Sequence, residues 1–176
     1  MGNIKEVLIS EDKIQNRILE LAQAIEKDYD GEILMIGILK GSTIFMSDLV
    51  RKINKNVYME FIQVSSYEGT ESTGTVNIKK DVEIELVGKD VLIVEDIIDT
   101  GNTMGYLIEN LKQRGAKSVE IVTLLSKPAR RLKEIECKYI GFEIEDKFVV
   151  GFGMDYNQNY RNLPYIGIYD NSEENI

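Results

Sequence analysis

Apolar positions along this chain alternate between short continuous runs and helical stripes. Ile14, Ile18, Leu21 and Ile25 recur on one face after Ser10, so the spacing predicts a helix over residues 11–29, with Ser10 as N-cap and Gly31 as its stop. The run ILMIGIL, residues 33–39, reads as a strand buried on both faces. A short helix carrying Ile44, Phe45, Leu49 and Ile53 follows, then a strand over residues 57–64. The polar, glycine-punctuated stretch SSYEGTESTG, residues 65–74, predicts a long loop between strand-like segments. VLIV at 91–94 is another buried strand. A helix follows from about Thr103, with Met104, Leu107, Ile108 and Leu111 as its stripe and Gly115 beyond its end. Strands at 119–125, 139–142 and 148–150 precede an aromatic, glycine-containing C-terminal region.

Buried strands alternating with amphipathic helices imply an α/β fold, a mostly parallel twisted sheet flanked by helices. Ligands on such sheets bind beyond the carboxyl ends of the strands. With 176 residues the chain suits one core, so a single domain over 1–176 is expected. The formal charge of -9 argues against a broad basic surface for nucleic acid, whereas a small anion needs only local donors. No apolar run reaches the roughly 20 residues that span a bilayer, and MGNIKEVLIS lacks the apolar segment of a secretory signal, so a soluble, cytoplasmic protein without membrane partners is expected. Cys137 is the only cysteine, which excludes an internal disulfide. The chain has no histidine, which removes Ser-His-Asp and Cys-His catalysis and leaves oxygen donors for a hard metal such as Mg²⁺.

Candidate chemistry concentrates in VLIVEDIIDTGNT, residues 91–103. Glu95 and Asp96 sit side by side where the strand runs out, and Asp99 follows. Adjacent acids after a strand commonly just solvate a loop. Here the next residues, Asp99 to Thr103, are small, rich in donors and feed straight into a helix whose positive end suits a phosphate. Acids beside an anion cradle suggest a Mg²⁺-assisted phosphate ester. The Rossmann fingerprint and the P-loop are both absent, since GILKGS lacks the lysine after its second glycine. An Asp-x-Asp nucleophile pair is absent too, because Ile97 and Ile98 separate Asp96 from Asp99.

The run VLIVEDIIDTGNT resembles the phosphoribosyl diphosphate (PRPP) signature of the type I phosphoribosyltransferases. GILKGS, FIQVSSY, LLSKP and DKFVVGFGMDYNQNYRNLPYIG extend the similarity, in order, to the hypoxanthine-guanine branch. That resemblance implies the type I phosphoribosyltransferase fold, with a small hood from the chain termini, its C-terminal part at about 145–176, and a flexible loop over the site. It implies transfer of ribose 5-phosphate from PRPP to a purine base, with Mg²⁺ as cofactor, nucleotide and pyrophosphate as products, and a homodimer or homotetramer as assembly.

By the same resemblance, Glu95 and Asp96 hold the ribose hydroxyls and the hydrated metal, and Asp99 accepts the purine N7 proton. Thr100, Gly101, Asn102 and Thr103 cradle the 5′-phosphate, with Asn102 standing where many members carry lysine. Lys40 and Gly41, after a Leu39–Lys40 bond that is often cis, bind pyrophosphate together with Arg161. Lys127 donates to the purine 6-oxo group, Phe148 stacks on the base, Val149 offers backbone contacts and Asp155 serves a second metal. Ser66 and Tyr67 belong to a lid that excludes water. Two other readings weigh against this one. A PRPP-sensing regulator on the same fold would use a basic face, which this acidic chain lacks. A receiver-like signalling domain explains Glu95 and Asp96 but not the DTGNT cradle.

Overall fold

The computed structural model of the chain describes residues 3–66 and 76–170. In chain order its elements are β1 (Ile4–Ile9), α1 (Glu11–Asp28), β2 (Ile33–Leu39), α2 (Thr43–Val50), β3 (Val57–Ser66), β4 (Val76–Lys80), β5 (Asp90–Ile98), α3 (Asn102–Gln113), β6 (Ser118–Ser126), β7 (Tyr139–Glu143), β8 (Val149–Val150) and β9 (Ile166–Tyr169). Six strands form one sheet in the order β4-β3-β2-β5-β6-β7. All its neighbours run parallel except the antiparallel edge strand β4.

Burial on both faces explains the continuous apolar runs of the central strands. In β2, Ile33 and Met35 pack with Ile14, Ile18, Phe45 and Leu49 of α1 and α2, whereas Leu34, Ile36 and Ile38 pack with Met104, Leu107 and Leu111 of α3. Strand β5 obeys the same alternation as far as Val94. Beyond Glu95 and Asp96 its phase changes, so that Ile97 joins the α1/α2 side and Ile98 the α3 side.

The ends of α3 follow from local chemistry. Gly115, at φ 90°, closes a Schellman motif in which its N–H donates to the Lys112 carbonyl and that of Ala116 to the Leu111 carbonyl. Helix α1 ends differently from expectation: Tyr29, already extended, stops it two residues before Gly31, and Ser10 occupies the N-cap without a side-chain cap bond.

A second sheet, β1-β9-β8, is antiparallel and forms the hood. As expected of a hood from the chain termini, β1 contributes from the N-terminal side and β8 and β9 from the part at about 145–176. The loop expected at 65–74 begins later than its composition suggests, because Ser65 and Ser66 pair with Asn77 and Val76 as the last residues of β3. Tyr67 and the rest of the expected lid lie outside the described residues. No described helix is long and apolar enough to cross a membrane.

Candidate active site

Strand β5 delivers two acids to the carboxyl edge of the large sheet. The sequence places Glu95 and Asp96 just past the end of a strand at Val94; the strand instead continues through them, since pairing with β6 runs on to Ile98 opposite Ser126. They are therefore held on a rigid element. Glu95 is buried, and that burial, reinforced by the Asp96 charge, pushes its carboxyl well above the usual range. One backbone donor offsets part of this cost, Asp96 N–H donating to Glu95 Oε1 at 3.2 Å, while Ile97 N–H donates to the neighbouring Asp96 Oδ1 at 2.8 Å.

The loop after β5 is braced from behind. Gly101 adopts φ 85°, and a Cβ there would stand 2.8 Å from the Lys133 carbonyl oxygen. Leu132 and Lys133 N–H both donate to the Thr100 carbonyl, at 3.0 and 3.1 Å. Arg131 Nη1 donates to the Asp99 carbonyl at 2.9 Å and Nη2 to Ser126 Oγ at 2.8 Å. Because Gly101 is the N-cap of α3 and offers no side chain, the leading amides of that helix lack a side-chain cap from it, and Asn102 N–H makes only a long contact, donating to Thr100 Oγ1 at 3.5 Å. They open on a cleft of about 250 Å³ lined by Glu95, Asp99, Thr100, Gly101 and Thr103. Such a loop suits a phosphate.

A second cleft, of about 300 Å³, lies on the other side of Asp99, lined by Asp96, Asp99, Lys127, Arg130, Phe148 and Val149, with Met154 and Asp155. Lys127 is only 7 % exposed, its backbone N–H anchored to the Ile98 carbonyl at 3.0 Å. Its Nζ reaches Asp146 Oδ1 at 3.4 Å. Phe148 lies just before β8, not within a strand as its sequence context suggests, and is 44 % exposed. Edge contacts to Tyr156 and Tyr169, with centroids 5.7 and 5.8 Å away, hold its ring. An exposed, braced aromatic beside a buried lysine suits a flat base that carries an acceptor.

A third group meets these clefts from the side. The Leu39–Lys40 bond is cis. A methyl group on Gly41 would overlap the Asp96 carboxylate, and one on Gly153 would overlap the Gly41 carbonyl. Arg161 donates to the Gly153 carbonyl at 2.7 Å and pairs with Asp155 at 2.7 Å. Lys40 Nζ donates to Gln158 Oε1 at 3.1 Å, and Gln158 N–H to Asp155 Oδ2 at 2.8 Å. Asp155 is thus committed to Arg161 and Gln158, and among the described residues no group of three or more acids is arranged to hold a metal.

The chain matches the phosphoribosyl transferase domain family over residues 9–157. It is 53% identical, over 168 residues, to the hypoxanthine-guanine phosphoribosyltransferase of Staphylococcus aureus, covering 94% of each chain. The chain belongs to the hypoxanthine-guanine phosphoribosyltransferase family. A crystal structure of a hypoxanthine phosphoribosyltransferase from Staphylococcus aureus agrees with a TM-score of 0.94 at 50% identity, covering 98% of this chain and 95% of that one. The bifunctional protein TilS/HprT of Listeria monocytogenes is 51% identical over 169 residues, which amount to 95% of this chain but span only 26% of that relative. The two-sheet architecture is therefore the type I phosphoribosyltransferase fold.

In this phosphoribosyltransferase the residues singled out from sequence fall into three adjoining groups. Thr100, Gly101 and Thr103 line the first cleft, Lys127, Phe148 and Val149 the second, and Lys40, Gly41, Asp155 and Arg161 meet beside Asp96. Asn102 is the exposed first residue of α3. Sequence reasoning missed Arg130, Arg131 and Asp146. Only the cationic doublet shortly after Lys127 hints at the first two, and nothing local marks Asp146.

Proposed function

We propose that this phosphoribosyltransferase transfers ribose 5-phosphate from PRPP to N9 of a 6-oxopurine, hypoxanthine or guanine, releasing pyrophosphate. One observation carries the reading: Asp99 lines both the phosphate-type cleft and the base-type cleft, so one carboxylate stands where sugar and base must meet. The amides at the start of α3 receive the 5′-phosphate, which sets the sugar over Glu95 and Asp96. Phe148 stacks on the base and Lys127 donates to its 6-oxo oxygen. Adenine presents an amino group there, which leaves the buried lysine without an acceptor.

As N9 bonds to the anomeric carbon, the bond from that carbon to the pyrophosphate oxygen breaks, and Asp99 takes the N7 proton. Lys40, the amide of Gly41 and Arg161 hold the departing pyrophosphate. Glu95 and Asp96 stabilise the positive charge that develops on the sugar. These two are adjacent hard oxygen donors whose mutual repulsion a divalent cation relieves, so they fit Mg²⁺, with substrate oxygens and water supplying the remaining ligands. When bound, the metal neutralises charge on the pyrophosphate.

The deciding assay mixes purified protein, Mg²⁺ and PRPP with each purine base in turn. IMP or GMP should form and AMP not appreciably, and EDTA should abolish activity. Efficient AMP synthesis, or no nucleotide from any base, overturns the reading.

A further inference from the structure

Four charged side chains form a chain along one wall of the base cleft. Asp99 Oδ1 lies 2.8 Å from Arg130 Nε, Arg130 Nη1 lies 3.3 Å from Asp146 Oδ1, and Lys127 Nζ lies 3.4 Å from the same Asp146 oxygen. Arg130 follows Lys127 by one turn of the 3₁₀ helix Pro128–Arg130, with its own N–H donating to the Lys127 carbonyl at 3.1 Å. The two residues are fixed in one short segment, and Asp146 meets both from the segment before β8.

The contact to Asp99 is selective between its oxygens. Oδ1 is sealed from solvent, and the Arg130 contact is an ion pair without hydrogen-bond geometry, so this oxygen has no hydrogen-bond donor among the described residues. The Asp99 side chain as a whole is nevertheless 40% exposed, which leaves Oδ2 as the oxygen presented to the clefts. On a 6-oxopurine the 6-oxo oxygen and N7 are neighbours on one edge. The groups that meet them, Lys127 and Asp99, must therefore keep a fixed separation, and the Arg130–Asp146 link spans that separation.

We infer that Arg130 is a positioning residue of this site: it clamps Asp99 Oδ1 so that Oδ2 faces the purine N7 proton, and through Asp146 it ties Asp99 to Lys127. The inference rests on the reaction proposed above. A carboxylate on a loop end rotates freely unless its other oxygen is held, and small misplacement of a proton acceptor is costly in rate. Lysine at 130 would supply charge but not the planar fork that reaches two carboxylates at once.

The test is a double-mutant cycle on turnover with hypoxanthine and saturating PRPP. Arg130→Gln should lower kcat about tenfold or more while KM for PRPP stays within about twofold, and Arg130→Lys should recover only part of the loss. Because Arg130 acts through the Asp99 carboxylate, Arg130→Gln added to Asp99→Asn should cost little further turnover. A purely structural arginine would lower both backgrounds by the same factor, and that result overturns the inference. So does an Arg130→Gln enzyme with wild-type kcat. If the wild-type protein forms no nucleotide, the proposed reaction itself fails; if it does and either of those two results appears, only the role of Arg130 fails. Thermal melting of each variant separates misfolding from lost chemistry.

Discussion

Gly153 and Gly41 touch backbone to backbone, and a side chain on Gly153 would overlap the Gly41 carbonyl oxygen. Gly153 also sits at φ 101°, in a region that L side chains rarely adopt. Gly153→Ala should therefore cost stability, by about 2 kcal/mol or more, read as a lower urea midpoint at unchanged slope.

Gly41→Ala meets something softer. Its methyl group would overlap the end of the Asp96 side chain, which can turn aside with little cost to folding. The expected outcome is near-normal stability with about tenfold or more weaker PRPP binding in the presence of Mg²⁺, measured by calorimetry. Normal binding would show that Asp96 does not need its present position.

Asp99→Asn keeps size and polarity but removes basicity. Turnover should fall about 10²-fold or more while PRPP affinity holds. Pre-steady-state measurement with hypoxanthine checks that the loss lies in the transfer step.

Removal of the buried ammonium at Lys127 should narrow base discrimination. Lys127→Met should lower kcat/KM for hypoxanthine about 10²-fold while leaving the slow reaction with adenine little changed. Competition between the two bases for PRPP reads the ratio directly.

Glu95 and Asp90 should act on stability in opposite senses. Asp90 is held below the usual carboxylate range, first by Lys117 and then by Ser118, donating at 2.8 and 2.7 Å. A lowered folded value means that its contribution is present above the ordinary aspartate value of about 3.9 and is lost as pH falls through the folded value. Glu95 is raised by burial and by Asp96, so its charged form burdens the fold, and that burden develops as pH rises from the ordinary glutamate value of about 4.3 through the raised one. Asp90→Asn should weaken the protein at neutral pH and converge on wild type in strong acid. Glu95→Gln should strengthen it at neutral pH by about 1 kcal/mol while impairing transfer. Urea unfolding without Mg²⁺, at about pH 7 and about pH 3, measures both.

Legibility from sequence tracked burial and periodicity. Strands β2, β5 and β6 are apolar on both faces, and the helix stripes of α1 and α3 repeat at full period, so these elements stand out. Strand β1 does not: only Ile9 in it is buried, and its pairing with β9 is interrupted by register shifts, so no alternation survives. The true length of β5 was hidden because polar Glu95 and Asp96 occupy ladder positions that an apolar pattern cannot reveal. Among site residues, those in motif runs were readable. The Arg130–Asp146–Lys127 contacts were not, because they join segments sixteen and nineteen positions apart through charged side chains, which carry no periodic signal.

The hood has a consequence for the order in which the chain can assemble. Strand β9 is the middle strand, pairing β1 on one side and β8 on the other, and Asp170 N–H donates to the Asn3 carbonyl at 2.9 Å. Tyr169 in that strand also supports the Phe148 ring. During synthesis β1 must wait, unpaired, until more than 150 residues have followed it, while the large sheet can already close from β2 to β7. On the reaction proposed above, the platform for the base is therefore the last part of the described fold to form, and a nascent chain whose phosphate loop is finished still lacks it.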